Sequence, residues 1–218
     1  MAEILYAVGV GPGDPELLTL KAVRVMREAD VIACPAKGES FGVAYDIAFQ
    51  ACPEIEDKEK LALDFPMMEG DISEAHRKAA ESIVDLLSAG KRVVFLTLGD
   101  PGFYSTFSYI SDAVCENGFD IEVVSGITSF CAVSAALKVP ISLGDEAVLI
   151  TAGEYRDFVG TLIIMKAGRK LGDIKIQIKK SGRKAYLVEN CGMPYEKIYT
   201  DINTFPDTAG YFSILIVK

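Results

Sequence analysis

The chain has no tryptophan, a single histidine and no C-x-x-C pair among its five cysteines, and these scarcities narrow its chemistry before any motif is read. His76 stands alone in the polar start of a helix, where it is expected to face solvent. Cys34, Cys52, Cys115, Cys131 and Cys191 are scattered, so no protein-made zinc or iron site is expected. Four of the five sit in predominantly apolar or helical surroundings, and the cysteines read as reduced core thiols. Basic residues are short as well: 22 Lys and Arg face 31 Asp and Glu, a formal charge of −9. Affinity for nucleic acid comes from clustered Lys and Arg, and this balance argues against it, although a local basic cluster can still receive an anionic small substrate. No apolar run approaches the roughly 18 residues of a membrane span. Met1-Ala2-Glu3 lacks the layout of a signal peptide, and there is no internal repeat or low-complexity tract. The expectation is a cytoplasmic protein with no membrane partner.

What is present is enough apolar material for a full core: half of the 218 residues are hydrophobic. The most informative stretch is Gly9-Val10-Gly11-Pro12-Gly13-Asp14-Pro15. The apolar run Ile4 to Val10 enters it like a buried strand, and Leu17, Leu20, Ala22 and Val23 leave it at helical spacing. Asp14 fits a helix N-cap with Pro15 at N1, where the missing N–H of proline is no loss. The stretch is therefore read as a tight, exposed strand-to-helix turn at the carboxyl end of the first strand, where open α/β sheets bind ligands. It is not a dinucleotide fingerprint. The third glycine of G-x-G-x-x-G falls on Asp14, Pro12 removes a donor, and a carboxylate occupies the helix N-terminus that a pyrophosphate would need. A helix-capping turn without a ligand fits these residues too.

Strand and helix patterns alternate onward. Asp30 to Cys34 reads as a strand, Val43, Ile47 and Ala48 as a helix reaching about Ala51, and Leu61 to Phe65 as an extended segment. Ser73 to Ala89 is a long amphipathic helix. Arg92 to Leu98 is the clearest buried strand and runs into Gly99-Asp100-Pro101-Gly102. An aromatic-bearing helix with Phe103, Tyr104, Phe107 and Tyr109 follows, then a strand, Ile121 to Val124, the loop Ser125-Gly126-Ile127-Thr128-Ser129-Phe130 and a small-residue helix to Leu137. This grammar predicts a mostly parallel sheet with one crowded carboxyl edge. Near Val139-Pro140 it changes. The strands Ala147 to Thr151, Thr161 to Met165, Ala185 to Glu189, Glu196 to Thr200 and Tyr211 to Val217 include several too close together for helical crossovers, which predicts a mixed sheet with antiparallel strands. The expected fold is α/β, two αβα domains over residues 1–139 and 140–218 with an active-site cleft between them.

Four stretches together resemble the tetrapyrrole methyltransferases, a family that uses S-adenosylmethionine: Gly9-Val10-Gly11-Pro12-Gly13-Asp14-Pro15 with Leu18-Thr19-Leu20-Lys21-Ala22; Gly99-Asp100-Pro101; Ser125-Gly126-Ile127-Thr128-Ser129-Phe130; and Thr161-Leu162-Ile163-Ile164-Met165-Lys166. Their order and spacing cover nearly the whole chain. Within the family, Gly102 to Ile110 and Val188 to Ile198 are similar to the branch that methylates C20 of precorrin-2 or cobalt-factor II in cobalamin biosynthesis. Another tetrapyrrole intermediate as substrate, or a cofactor-binding member without this turnover, stays open. Diphthine synthase and ribosomal-RNA methyltransferases share the fold, but the acidic charge and the C20-type stretches disfavour them.

The resemblance implies a homodimer of two-domain chains with the cofactor folded into the cleft. It implies that Leu98, Gly99, Asp100, Phe103, Thr128, Ser129 and Phe130 contact S-adenosylmethionine from the first domain, and Met165, Cys191, Gly192, Tyr211 and Phe212 from the second. The turn containing Gly11 and Pro12 then lies toward the tetrapyrrole, and any cobalt arrives inside that substrate. The substrate's carboxylates require cations or donors. Lys37, Lys166, Arg169 and Lys170 are the candidates, with Tyr104 as a ring or carboxylate contact; solvated surface charge is the competing reading for each cation. No residue pattern identifies the group that removes the C20 proton or reads the metal.

Overall fold

A computed structural model of the chain describes residues 4–36, 40–65 and 72–218. They divide into two compact units, Met1–Thr128 and Ser129–Lys218.

In the first unit, β1 (Ile4–Gly9), β2 (Val31–Ala36), β3 (Glu59–Asp64), β4 (Val93–Thr97) and β5 (Asp120–Val124) form one sheet in the order β3-β2-β4-β1-β5. Every pairing is parallel. β4 is buried along its whole length, as a central parallel strand with both faces covered must be. The register aligns the strand ends that matter: Val8 lies opposite both Leu96 and Val124, so β1, β4 and β5 finish at one level. Helices α1 (Leu20–Glu28), α2 (Gly42–Ala51), α3 (Ile72–Ser88) and α4 (Ser108–Glu116) complete the unit. Ala79, Ala80, Ile83 and Leu87 of α3 and Ile110 and Val114 of α4 pack on Leu5, Ala7, Val93 and Phe95. A fully buried leucine or isoleucine such as Leu87 or Ile83 contributes roughly 1.5–3 kcal/mol.

Asp14 does cap a helix with Pro15 at N1, but the helix is the short 3-10 turn Pro15–Leu17, where Asp14 Oδ1 accepts from the Glu16 amide at 2.9 Å. A second cap starts α1: Thr19 Oγ1 accepts from the Ala22 amide at 3.1 Å. This later start resets the helical phase, so Ala22, Val25 and Met26 are buried while Leu20 is 91% exposed. The aromatic-bearing helix also begins later than expected. Phe103 and Tyr104 lie in a turn, with Tyr104 at φ +49°, and α4 opens at Ser108.

His76 does not simply face solvent. Its ring stacks on Tyr109 at 4.3 Å and 8° and sits 5.7 Å from Phe65, which ties α3 to α4. Of the five free cysteines, Cys34, Cys52 and Cys191 are buried and Cys115 and Cys131 are exposed, so the expected core thiols are three.

In the second unit, α5 (Ser129–Leu137) is followed by β6 (Val148–Ala152), β7 (Thr161–Met165), α6 (Leu171–Ser181), β8 (Ala185–Glu189), β9 (Lys197–Tyr199) and β10 (Ser213–Val217). The sheet order is β6-β7-β10-β8-β9. β6 and β7 are parallel, while β10 runs antiparallel to both β7 and β8, and β9 antiparallel to β8. Helix α5 packs against β10 and therefore belongs to this unit, whereas the change of sequence grammar falls after it, at Val139-Pro140. Leu171, Ile174 and Ile178 of α6 pack on Leu162, Ile164, Leu187 and Leu215. Because β10 is reversed, its start lies beside the ends of β7 and β8, with Ser213 opposite Glu189 and Leu215 opposite Ile164. Among the described residues no helix is long and apolar enough to cross a membrane.

Candidate functional site

Three strand-end loops meet backbone to backbone at the carboxyl edge of the parallel sheet. Past β1, the Val10 amide donates to the Thr97 carbonyl at 3.0 Å. Gly11 and Gly99 then exchange two hydrogen bonds, Gly11 N–H to Gly99 O at 3.2 Å and Gly99 N–H to Gly11 O at 2.7 Å. Both glycines lie at positive φ, +75° and +74°, which lets the two chains turn toward each other where an L side chain would be strained. Gly9 and Gly126 serve a different need. A Cβ on Gly9 would stand 2.6 Å from the Gly99 carbonyl oxygen and 2.7 Å from the Gly126 nitrogen; a Cβ on Gly126 would stand 2.1 Å from that oxygen. Close approach of three backbones, rather than room for a ligand, accounts for these two residues.

Asp100 fastens the arrangement. Its Oδ1 accepts from the Gly102 amide at 2.7 Å and its Oδ2 from the Gly126 amide at 2.9 Å, so one carboxylate joins the loops after β4 and β5. Behind it, the buried hydroxyls of Thr97 and Ser105 share a hydrogen bond of 2.9 Å, and Ser105 Oγ also accepts from the Phe107 amide at 3.1 Å. Neither hydroxyl stands out in the sequence; their meeting depends on the turn that carries Phe103 and Tyr104 out to solvent. At the far side of the edge, Thr128 Oγ1 is buried and, among the described residues, has no hydrogen-bond partner. A buried hydroxyl left unsatisfied costs about 1–3 kcal/mol, which singles this group out along the edge.

Of the residues expected at the site, the first unit pairs Gly11 with Gly99 and ties Asp100 to the loop that leads to Thr128; Pro12 and Leu98 adjoin the paired glycines in sequence, and Phe103 and Tyr104 are exposed in the turn that follows. The turn expected to be exposed is not: Gly11, Pro12 and Gly13 are all buried, Gly11 through its pairing with Gly99. Ser129 and Phe130, grouped in the sequence with Thr128, open α5 of the second unit. Lys37 lies outside the described residues.

In the second unit, the ends of β7 and β8 and the start of β10 gather Met165, Lys166, Cys191, Gly192, Tyr211 and Phe212, with Arg169 and Lys170 exposed in the 3-10 turn after β7. Lys166 and Asn190, each immediately past its strand, adopt φ +54° and +53°; asparagine tolerates this left-handed region, whereas lysine holds it only where the surroundings impose it. Asn190 donates its amide to the Phe212 carbonyl at 2.9 Å. The Lys166 ammonium sits 5.5 Å from the Tyr211 ring centroid, a cation-π contact, and the Tyr211 and Phe212 rings meet edge to face at 5.3 Å. Gly168 allows another close approach, since a Cβ there would stand 2.1 Å from the Gly210 carbonyl oxygen. Cys191 is not an activated thiol. Burial, reinforced by the Glu196 carboxylate, pushes it up to about 12. Among the described residues no cluster of His, Cys, Asp and Glu could hold a metal ion.

The family model described as Tetrapyrrole (Corrin/Porphyrin) Methylases matches residues 4–205. A probable cobalt-precorrin-2 C(20)-methyltransferase of Methanocaldococcus jannaschii is 33% identical over 98% of this chain and 95% of that one. A precorrin-2 C(20)-methyltransferase of a Sinorhizobium species is 30% identical over 98% and 94%. A crystal structure of the uroporphyrin-III C-methyl transferase of Thermus thermophilus complexed with S-adenyl homocysteine superposes with a TM-score of 0.70 at 22% identity, covering 98% of this chain and 91% of the other.

Proposed function

The chain belongs to the tetrapyrrole (corrin/porphyrin) methylases, and from that premise we propose that it transfers a methyl group from S-adenosylmethionine to C20 of precorrin-2 or its cobalt-bearing form, a step of cobalamin biosynthesis. The observation that carries this reading is the reach of the likeness to the two C20-named relatives, which runs through both compact units and nearly all of each partner's length.

The local geometry fits the cofactor. S-adenosylmethionine is polar and zwitterionic, and its matching partners are backbone amides and carbonyls fixed in advance together with a hydroxyl awaiting a bond. Leu98, Gly99, Asp100 and Phe103 line the loop after β4, and the Thr128 hydroxyl, without a partner among the described residues, lies in the loop after β5. On the second unit, Met165, Cys191, Gly192, Tyr211 and Phe212 are the proposed contacts, with Ser129 and Phe130 at the start of α5. When bound, the cofactor supplies a methyl carbon already activated by the neighbouring positive sulfur. The protein's task is then alignment and exclusion of water rather than strong base catalysis. Two features serve alignment: the Asp100 staple across two loops, and the glycine contacts that leave the three backbones little freedom.

For the macrocycle's carboxylates we propose Lys166 and Arg169, with Tyr104 and the Gly11-Pro12 turn as further contacts. Lys166 is already placed by its backbone turn and its contact with Tyr211. A homodimer working in the cytoplasm completes the proposal. The test is incubation with S-adenosylmethionine and precorrin-2, with and without cobalt, followed by absorbance and mass spectrometry. Gain of one methyl group at C20 is the expected product. If neither form is methylated while S-adenosylhomocysteine is still bound, the C20 assignment is wrong.

A further inference from the structure

Glu189 ends β8, is 8% exposed, and is the one buried charged residue among those described. A buried carboxylate is tolerated only where donors surround it, and both oxygens here have one. The Tyr199 hydroxyl, on the neighbouring strand β9, donates to Oε1 at 3.1 Å, and the Gly210 amide donates to Oε2 at 3.3 Å. The second bond spans 21 residues of sequence. Gly210 begins the stretch that leads through Tyr211 and Phe212 into β10.

The same short stretch is held from other sides without charge. The Gly210 carbonyl accepts from Ser213 Oγ at 2.6 Å, the Ala209 amide donates to the Gly168 carbonyl at 3.1 Å, and the Phe212 carbonyl accepts from Asn190. Of the peptide groups entering Tyr211, the Gly210 N–H is satisfied by Glu189. We infer that Glu189 is a positioning residue for methyl-donor binding: its carboxylate spans Tyr199 and Gly210 and fixes the Gly210-Tyr211-Phe212 backbone in the conformation that meets the donor. This rests on the reading that Tyr211 and Phe212 contact S-adenosylmethionine.

The chemistry of the two partners gives the inference a sharp variant series. Gly210 N–H can only donate, whereas the Tyr199 hydroxyl can donate or accept. In Glu189→Gln the side-chain oxygen keeps Gly210, and the hydroxyl of Tyr199 rotates to accept from the new amide. In Glu189→Asp the carboxylate retreats by one methylene and cannot span both partners. In Glu189→Ala both contacts are lost.

Titration calorimetry with S-adenosylhomocysteine, at a temperature where circular dichroism shows each variant folded, reads the effect. Glu189→Ala and Glu189→Asp are expected to raise Kd about tenfold, and Glu189→Gln to stay within about threefold of the parent. With saturating S-adenosylmethionine the turnover of folded variants is expected to fall much less than their affinity, so the defect appears in KM rather than kcat. If Glu189→Ala fails to fold, Glu189→Asp decides the matter. Faster hydrogen exchange at the Gly210 amide in the weakened variants is the accompanying signature. Equal affinity across the folded variants overturns the positioning role, as does Glu189→Gln being as weak as Glu189→Asp. If the parent protein itself does not bind S-adenosylhomocysteine, the underlying cofactor reading fails instead.

Discussion

The Gly126 amide donates to Asp100 Oδ2 at 2.9 Å, so a side chain from the loop after β4 holds the backbone of the loop after β5. The other oxygen of the same carboxylate accepts from Gly102 at 2.7 Å. Asp100 is therefore an organiser of backbone as well as a candidate contact.

Both of its partners are N–H groups, which cannot turn round to accept. Asp100→Asn must set an amide –NH2 against one of them, and Asp100→Ala strands both. A loss of about 1–3 kcal/mol is expected for either, read by urea unfolding, with S-adenosylhomocysteine binding weakened about tenfold by calorimetry. Unchanged unfolding and unchanged affinity in Asp100→Ala would count against the staple.

Gly99 and Gly126 separate two kinds of glycine requirement. Gly99 has φ +74° and open space where a Cβ would go, so Gly99→Ala meets only conformational strain, roughly 1–2 kcal/mol. Gly126→Ala has no such room: its Cβ would lie 2.1 Å from the Gly99 carbonyl oxygen, and backbone must move. The expected cost is about 3 kcal/mol, the upper end for overpacking. Chemical denaturation of the two variants side by side should rank Gly126→Ala as clearly the worse; the reverse order would refute the close-approach account.

The glycines that mark this edge were legible in the sequence, because Gly9, Gly99 and Gly126 each follow a hydrophobic run. Their reason was not. Close approach is a relation between residues far apart in the chain, and no local pattern displays it. The strands were read well where burial on both faces made them continuous, as in Val93–Thr97. Leu20 was misread because a short 3-10 turn with its own cap shifts the phase of α1. Helix α6 was overlooked, although Leu171, Ile174 and Ile178 carry its spacing. Glu189 escaped because its partner at Gly210 comes close only once β10 is reversed between β7 and β8.

Two buried hydroxyls, Thr128 Oγ1 and Tyr155 OH, have no hydrogen-bond partner among the described residues. Removing an unsatisfied hydroxyl relieves a desolvation cost, so Thr128→Val and Tyr155→Phe should each leave stability unchanged or raise it by up to about 1 kcal/mol. Thr128 stands in the loop after β5 that Asp100 fastens, whereas Tyr155, just past β6, packs on the apolar core of the second unit. Thr128→Val is expected to weaken S-adenosylhomocysteine binding several-fold while Tyr155→Phe leaves it alone. Thermal melts without ligand and calorimetry with it separate the effects, and equal affinity in Thr128→Val would remove that hydroxyl from the cofactor site.

Alkaline pH should act through the buried thiols. Burial, with Asp46 adding to it, pushes Cys34 up to about 12, and burial with Glu196 does the same for Cys191, each from an ordinary value of 9.0. Below pH 9 both thiols are neutral in the folded and unfolded chains alike, and their contribution is fully retained. Between about 9 and 12 the unfolded chain releases protons that the folded chain keeps, so unfolding is favoured progressively as pH rises. The burial that raises Tyr199 acts in the same direction at higher pH. Stability measured by urea unfolding is therefore expected to hold up to about pH 9 and to fall steadily above it, with a shallower fall in Cys34→Ala. Alkylation near pH 8 gives an independent check, since the exposed Cys115 and Cys131 should be modified in the native protein while Cys34 and Cys191 react only after unfolding. Rapid native labelling of Cys191 would show that its thiol is neither as buried nor as hard to ionise as its surroundings at the end of β8 require.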